Sequence, residues 1–298
     1  MRDVSAMAAS TTVFVGDVHG MNFKLTRLFA NLERKLGRDR FNSARVVFLG
    51  DLCDRGPDTS KALSFIVDLP SRYPQMKVHV LAGNHDLAFA TFLGLLPITG
   101  GDVPDGWTND RRAEPPLWQD NNGGDVHVGM HLQGRRWGGS GVGKENAFES
   151  EATFRSYGVE PGDRDGLLAA LPDSHKSLLS SMQFVVELDG VMDEHNPEVD
   201  RIVAVHAGLE SNVPLDDQLL ALRSRTIDRA WLEPLQGRAN VLETPPESAC
   251  NVLIVSGHHG MIKLDSNRII LDGCAGHHDR PLTAVVFPER VLVVDNDE

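Results

Sequence analysis

Cysteine is scarce in this chain, and the three present, Cys53, Cys250 and Cys274, lie far apart with no Cys-x-x-Cys pair. That pattern excludes a disulfide frame and a thiolate zinc site, fits a reducing compartment, and leaves the cysteines as small buried hydrophobes. Long apolar runs are missing too. Nothing approaches the roughly 18 uninterrupted apolar residues of a membrane span, and residues 1–11 lack the apolar centre of a secretory signal. The expectation is a flexible tail over 1–11 and a cytoplasmic protein, also compatible with the nucleus, with no membrane partner. Positive charge is in deficit, 29 basic residues against 42 acidic, for a formal charge of -13. With no basic stripe, a nucleic-acid backbone is not the expected partner.

What remains is an ordinary globular composition, 41% apolar and 24% charged over 298 residues, enough to bury one large core. No internal repeat or second domain boundary is visible. The expected organisation is one domain over 12–298 with an insertion at about 99–150.

Five short polar motifs stand in one order: Gly16-Asp17-Val18-His19-Gly20, Gly50-Asp51-Leu52-Cys53-Asp54-Arg55-Gly56, Gly83-Asn84-His85-Asp86, His206-Ala207-Gly208 and Gly257-His258-His259. Each supplies carboxylate, imidazole or amide ligands that divalent metals accept, with glycines that let backbone approach an ion or a phosphate. A β-branched or apolar run precedes every one: Thr12 to Val15, Val46 to Leu49, Val78 to Leu81, Ile202 to Val205 and Val252 to Val255. These runs predict buried strands, and in α/β sheets ligands gather where strands end. Five motifs at five strand ends predict one site.

Between the first two strands, Leu25, Leu28, Phe29, Leu32 and Leu36 form the stripe of an amphipathic helix. Pro57 is placed to open the next helix, with Leu63, Ile66 and Val67 on its face. The steps from Asp17 to Asp51 and from Asp51 to Asn84 are nearly equal, each the length of a strand–helix–strand unit, so three ligands should sit on adjacent parallel strands. Helical pieces are expected between Phe154 and Met182 and around Leu215 to Arg223. Val252 to Val255, Arg268 to Leu271, Thr283 to Phe287 and Arg290 to Val294 predict a C-terminal set of strands forming a second sheet, packed face to face with the first.

From Thr99 to about Ser150 the pattern fails and Gly, Asp, Pro and Asn dominate, as expected of a binding loop, a lid or a disordered segment. Within it, His131-Leu132-Gln133-Gly134-Arg135-Arg136-Trp137 sets guanidinium groups beside an indole. Arginine binds phosphate bidentately and Trp137 can stack on a phosphorylated group, while a solvated loop pairing with surplus acids explains the same residues equally well.

Chemically, Asp17 and His19 can point at one ion, Asp51 can bridge to a second, and Asn84, His206 and His258 can complete the second ion's shell. Two ions clamp phosphoryl oxygens and lower the pKa of a bridging water. His85 is the candidate acid for the leaving oxygen, and Asp54 is placed to orient it and hold it charged. Arg55 would bind the phosphate oxygens, with Asn84 as a further substrate contact. Spacing alone does not choose between His258 and His259.

Together the five motifs resemble the PPP superfamily of metallophosphatases. That resemblance implies an α+β fold of calcineurin-like type, αββα around a central β-sandwich, two Mn, Fe or Zn ions and direct attack by bridging hydroxide. It places the metal ligands at Asp17, His19, Asp51, Asn84, His206 and His258, the acid at His85, its orienting carboxylate at Asp54 and a phosphate-binding arginine at Arg55. Within the superfamily, Gly50 to Pro57, Phe92-Leu93-Gly94-Leu95-Leu96-Pro97, Met130 to Trp137 and Val255 to Gly260 are similar to Rhizobiales-like phosphatases, particularly their plant-type class, over residues 12 to 294. That class implies phosphotyrosine proteins as substrates. The Ser-Ala-Pro-Asn-Tyr ending of the eukaryotic serine/threonine enzymes is missing, and their His-Gly-Gly is His206-Ala207-Gly208 here. Their second phosphate-binding arginine has no counterpart, and Arg135 or Arg136 stands in for it.

The same metal motifs serve a symmetrical dinucleoside tetraphosphate hydrolase, in which Arg111, Arg112, Arg135 and Arg136 would bind a longer polyphosphate. A non-catalytic phosphate-binding protein is the third possibility, opposed by the complete ligand and acid set.

Overall fold

The computed structural model of the protein describes residues 11–95, 137, 148–225, 233–245 and 251–297. Residues 1–10 of the expected tail and most of the insertion, including Arg111, Arg112, Arg135 and Arg136, lie outside them, whereas Thr11 is buried. Val, Ile and Phe crowd the strand segments because branched and aromatic side chains pack well on a pleated surface. In chain order, β1 (Thr12–Val15) leads through helix α1 (Asn22–Leu36) and the short α2 (Arg38–Asn42) to β2 (Arg45–Phe48). Helix α3 (Thr59–Arg72), β3 (Lys77–Val80) and α4 (Asn84–Leu93) follow. After the insertion come α5 (Glu151–Ser156), α6 (Arg164–Ala170), α7 (Asp173–Ser181), β4 (Val186–Asp189), β5 (Arg201–Ala204), α8 (Leu215–Ser224) and α9 (Glu233–Gln236). The chain ends with β6 (Val252–Ser256), β7 (Ile262–Leu264), β8 (Arg268–Leu271), β9 (Thr283–Phe287) and β10 (Val291–Val294).

Two five-stranded sheets form, ordered β10-β9-β1-β2-β3 and β4-β5-β6-β8-β7. Strands β1, β2 and β3 are parallel neighbours, as the two strand–helix–strand units require, and β5, β6 and β8 are parallel neighbours in the second sheet. Alternate residues face opposite ways. Phe14, Val47 and Leu49 from one sheet meet Ile202, Ala204, Leu253 and Val255 from the other in an inter-sheet core. Their sequence neighbours Val13, Val15, Val46, Phe48, Val203, Val205 and Ile254 turn to the outer side, joining Leu25, Leu28, Leu63, Ile66, Leu219 and Leu222 of the helices. The result is the α+β sandwich with helices outside it.

Three expectations need correction. The C-terminal strands do not form one sheet: β9 pairs antiparallel with β1 along its whole length, Thr12 opposite Phe287, and β10 continues that sheet. Strand β1 pairs with β2 on one side only, so its other row of N–H and C=O groups needs a partner, and β9 supplies it. Apolar patterning marks β9 as a strand but is blind to its neighbour. Helix α3 begins at Thr59 rather than at Pro57, and Val67 is half-buried while Ala62, Phe65 and Leu69 complete its inner face. Strand β7, with Ile262 and Leu264 exposed, has no counterpart among the expected strands because its apolar residues face water.

Two buried cations staple distant segments beside the motif loops. Lys24 on α1 donates from Nζ to the carbonyls of Ala275 (2.7 Å), His277 (2.5 Å) and Arg280 (2.6 Å). Arg268 on β8 donates to the carbonyls of Ala207 and Ile269, both at 3.0 Å. Among the described residues, no helix is long and apolar enough to cross a membrane.

Candidate active site

All five motifs meet at one end of the sandwich, and backbone groups tie the first to the second and the fourth to the fifth. The amides of Val18 and His19 donate to the Asp51 carbonyl at 3.0 and 2.8 Å, and Gly257 N donates to the His206 carbonyl at 2.9 Å. His19, Asp51, Asp54, Arg55 and His258 all have positive φ, a conformation non-glycine residues rarely adopt, so strained backbone is gathered at the site. Gly50 (φ 102°) is required outright: a Cβ there would stand 2.5 Å from Gly83 N and 2.8 Å from His206 Nδ1. At Gly257 a Cβ would lie 1.9 Å from Asp17 Oδ1.

Backbone carbonyls decide which imidazole nitrogens face inward. His19 Nδ1 donates to Cys53 O at 3.0 Å and His206 Nδ1 to Leu49 O at 2.7 Å, presenting Nε2 in both cases. His258 reverses this, donating Nε2 to Gln236 O at 3.0 Å and presenting Nδ1. His259 likewise donates Nε2 to a carbonyl, Ala207 O at 2.7 Å, but it is His258 that stands with Asp51 and His206 in a group able to hold an ion.

Among the described residues, two triplets have ligand atoms within 4.8 Å of one another, His19–Asp51–His85 and Asp51–His206–His258, and Asp51 belongs to both. Asn84, the first residue of α4, sets Oδ1 3.3 Å from His206 Nε2. Asp17 is buried beside the second triplet, accepting from His258 N at 3.1 Å. A shared carboxylate flanked by imidazoles whose outer nitrogens are held by carbonyls suits two adjacent divalent ions. The expected ligands Asp17, His19, Asp51, Asn84, His206 and His258 thus lie together. The first triplet, however, counts His85 where Asp17 is expected.

His85 Nδ1 lies 2.8 Å from Asp54 Oδ2. The same oxygen accepts from Trp137 Nε1 at 2.8 Å, and Oδ1 accepts from Thr153 Oγ1 at 2.8 Å. Arg55 reaches over both inner imidazoles, Nη1 2.9 Å from His19 Nε2 and Nη2 3.4 Å from His85 Nε2. Because His19 Nε2 is also the atom that would hold an ion, ion binding there and this Arg55 contact exclude one another.

Burial sets much of the electrostatics. It would raise Asp51, but the imidazoles of His206, His85 and His19 outweigh it and hold the carboxyl well below the usual range. Asp17 goes well above that range through burial, then the neighbouring charge of Asp272. Burial depresses His206, and the Asp51 carboxylate overrides this to lift it to about 10. His19 falls to about 3 through burial, reinforced by His85. Within the acid pair, burial raises Asp54 to about 8 against the Thr153 and Trp137 donors, and lowers His85 to about 4. Burial thus shifts the two partners of the 2.8 Å Asp54–His85 contact in opposite directions.

Trp137 takes neither place that the sequence allows it, stacking on a phosphorylated group or standing in a solvated loop. It is fully buried, stacked on Phe89 with centroids 4.5 Å apart, and points its N–H at Asp54. The insertion's composition gives no sign that one of its residues belongs to the core. Asp86 closes its motif without a chemical role legible from sequence, and in the fold it accepts from Leu52 N at 2.9 Å and Gly83 N at 3.0 Å, tying two loops together. Asp272, accepting from Gly260 N and Cys274 N, and Thr153 carry no sequence signal beyond being polar among apolar neighbours.

The chain is similar to several known proteins. A bis(5'-nucleosyl)-tetraphosphatase, named asymmetrical, from Oceanobacillus iheyensis is 31% identical over 74 residues, 24% of this chain and only 28% of that relative's length. Among solved structures, a provisionally assigned diadenosine tetraphosphatase shows 18% identity and a TM-score of 0.49, covering 97% of this chain and 94% of that one. A cold-active protein-tyrosine phosphatase of a psychrophilic Shewanella shows 15% identity and a TM-score of 0.45, covering 96% and 80%. The family profile described as calcineurin-like phosphoesterase matches residues 10–294. Five strand-end motifs converging on a shared Asp51, within a match spanning nearly the whole chain, make this protein a member of the calcineurin-like phosphoesterase family.

Proposed function

We propose that this chain is a metal-dependent protein phosphatase that hydrolyses phosphomonoesters, with preference for phosphotyrosine. One observation carries the monoester reading: the buried His85–Asp54 pair, 2.8 Å apart, whose outer nitrogen faces Arg55 beside the Asp51 triplets. A built-in proton donor is what an alkoxide or phenoxide leaving group demands. Asp17, His19, Asp51, Asn84, His206 and His258 would hold two ions of the Mn, Fe or Zn kind. The chemistry supplied there when loaded is a water acidified toward neutral pH and positive charge beside the phosphoryl oxygens. Arg55 binds the oxygens not under attack, Asn84 orients the group, Asp54 fixes the imidazole, and His85 Nε2 delivers the proton to the departing oxygen. Arg135 and Arg136 are kept as candidate substrate contacts.

Phosphotyrosine preference is supported by the likeness of Gly50 to Pro57 and Met130 to Trp137 to Rhizobiales-like phosphatases. The cytoplasmic setting, extended to the nucleus, is supported by the sparse cysteines, with Cys53 and Cys274 free. A second reading, a dinucleoside tetraphosphate hydrolase, draws on the short match to the Oceanobacillus enzyme.

The test is turnover by the purified Mn²⁺-loaded protein on a phosphotyrosine peptide, a phosphothreonine peptide and diadenosine tetraphosphate. Fastest hydrolysis of the first is expected. Preference for the dinucleotide would replace the protein substrate with a nucleotide, and turnover of none would sink the enzyme.

A further inference from the structure

Asp54 is held by donors from three separate segments. Its amide donates to Thr153 Oγ1 at 3.0 Å, its Oδ1 accepts from that hydroxyl, and its Oδ2 accepts from both His85 and Trp137. Thr153 stands on α5 and His85 in the first turn of α4, whereas Trp137 comes from the insertion. The indole is fixed by those same helices: it stacks on Phe89 of α4, lies 5.2 Å from Phe92 of α4 and 5.2 Å from Phe154 of α5, and its own carbonyl accepts from the Ser150 hydroxyl. A buried indole needs a partner for its N–H, and here that partner is the carboxylate beside His85, so the contact adds direction to the volume it fills.

We propose that Trp137 is a positioning residue of the reaction, acting through Asp54 to aim the proton on His85 at the leaving oxygen. This rests on the phosphomonoesterase reading above. The bond from phosphorus to the leaving oxygen breaks, its electron pair stays on that oxygen, and His85 Nε2 gives it a proton. Water supplies the oxygen of the new bond to phosphorus, so the products are inorganic phosphate and a phenol or alcohol. Without the indole N–H, Asp54 Oδ2 keeps one donor, and the carboxylate can swing away from the direction that aims the imidazole.

Such a role matters only where the leaving oxygen needs its proton. Phenyl phosphate releases a phenol of pKa about 10, as tyrosine does, whereas p-nitrophenyl phosphate releases a much weaker base. Trp137→Phe keeps the stacking and removes the N–H. Expected with Mn²⁺ is a loss of about tenfold in kcat/KM on phenyl phosphate and less than about twofold on p-nitrophenyl phosphate. Should the phenylalanine variant fail to fold, 3-benzothienylalanine at position 137, with sulfur replacing N–H in nearly the same shape, must give the same split. Equal losses on both substrates would make Trp137 a packing residue and overturn the proposal while leaving the phosphomonoesterase reading intact. A wild-type protein that turns over neither substrate would overturn both.

Discussion

The two sheets deliver their ligands to one site by different means. On the first, Asp17, His19, Asp51, Asp54 and Arg55 arrive in two short loops, shaped by glycine and by left-handed backbone at His19, Asp51, Asp54 and Arg55, and Asn84 and His85 arrive in the first turn of α4. On the second, His206 and His258 are single imidazoles turned by carbonyls, and their loops are held by long cations. Arg268 grips the Ala207 carbonyl, and Arg238 grips the His258 carbonyl at 2.6 Å. Both sets of loops contain left-handed backbone, at His258 as at His19, but the supporting groups differ: the Asp86 carboxylate on the first sheet and long cations on the second. The first half should therefore fail chemically when its residues are changed, and the second should fail through loss of support.

Asp51 joins the halves, and its replacement should have the largest effect. Asp51→Asn removes the charge shared by both triplets, and turnover should fall by about a thousandfold or more together with bound metal, measured by steady-state kinetics and elemental analysis. Retained metal with lost turnover would mean that the two triplets do not depend on a common bridge.

Within the first sheet's loops, the acid pair should separate from the ligands. His85→Asn and Asp54→Asn are expected to lower turnover by about 10²- to 10⁴-fold while metal content stays near that of the wild type. Parallel loss of metal in Asp54→Asn would put Asp54 in the ion shell and end its assignment as a partner of the acid.

Support on the second sheet is probed by Arg268→Met. Burial lowers the Arg268 pKa to about 10, and the side chain is spent on carbonyls, so the change orphans buried acceptors. Urea denaturation should show a loss of roughly 2–3 kcal/mol. A neutral result would show that the second sheet's loops do not depend on this cation.

The smallest effect lies on that sheet's outer edge. Glu187 on β4 is partly buried, which raises its pKa, but hydrogen bonds from Arg223 and Arg201 outweigh burial and hold it below 4.5. A depressed carboxyl contributes stability that is present above its unfolded pKa and is lost as pH falls through the folded value. Glu187→Gln should therefore cost about 1 kcal/mol or less at neutral pH and nothing in strong acid, read from melts across pH. A cost that persists in acid would mean packing rather than charge.

The legible part of this molecule follows the same division. Leu25, Leu28 and Leu32 announce α1 because a helix repeats every 3.6 residues, and Val13 to Val15 announce β1 because both of its faces are covered. Partnership is harder to read. Nothing in Thr283–Phe287 says that it closes the free side of β1 rather than extending the second sheet, since hydrogen-bonding capacity is the same for every strand. Trp137 looks like a surface group in the sequence because its neighbours in the chain are polar and glycine-rich, whereas its neighbours in space are Phe89, Phe92 and Phe154.

By itself the sequence determined the ligand types, their order and their places at strand ends, because side-chain chemistry, strand periodicity and glycine's freedom at positive φ are properties of a few consecutive residues. Only the tertiary structure decided which nitrogen each histidine presents, that His258 rather than His259 faces Asp51, and that Asp54 shares one oxygen between His85 and Trp137. Those outcomes depend on carbonyls and rings brought together from distant segments, where burial makes each polar group take whichever partner the packing leaves within reach.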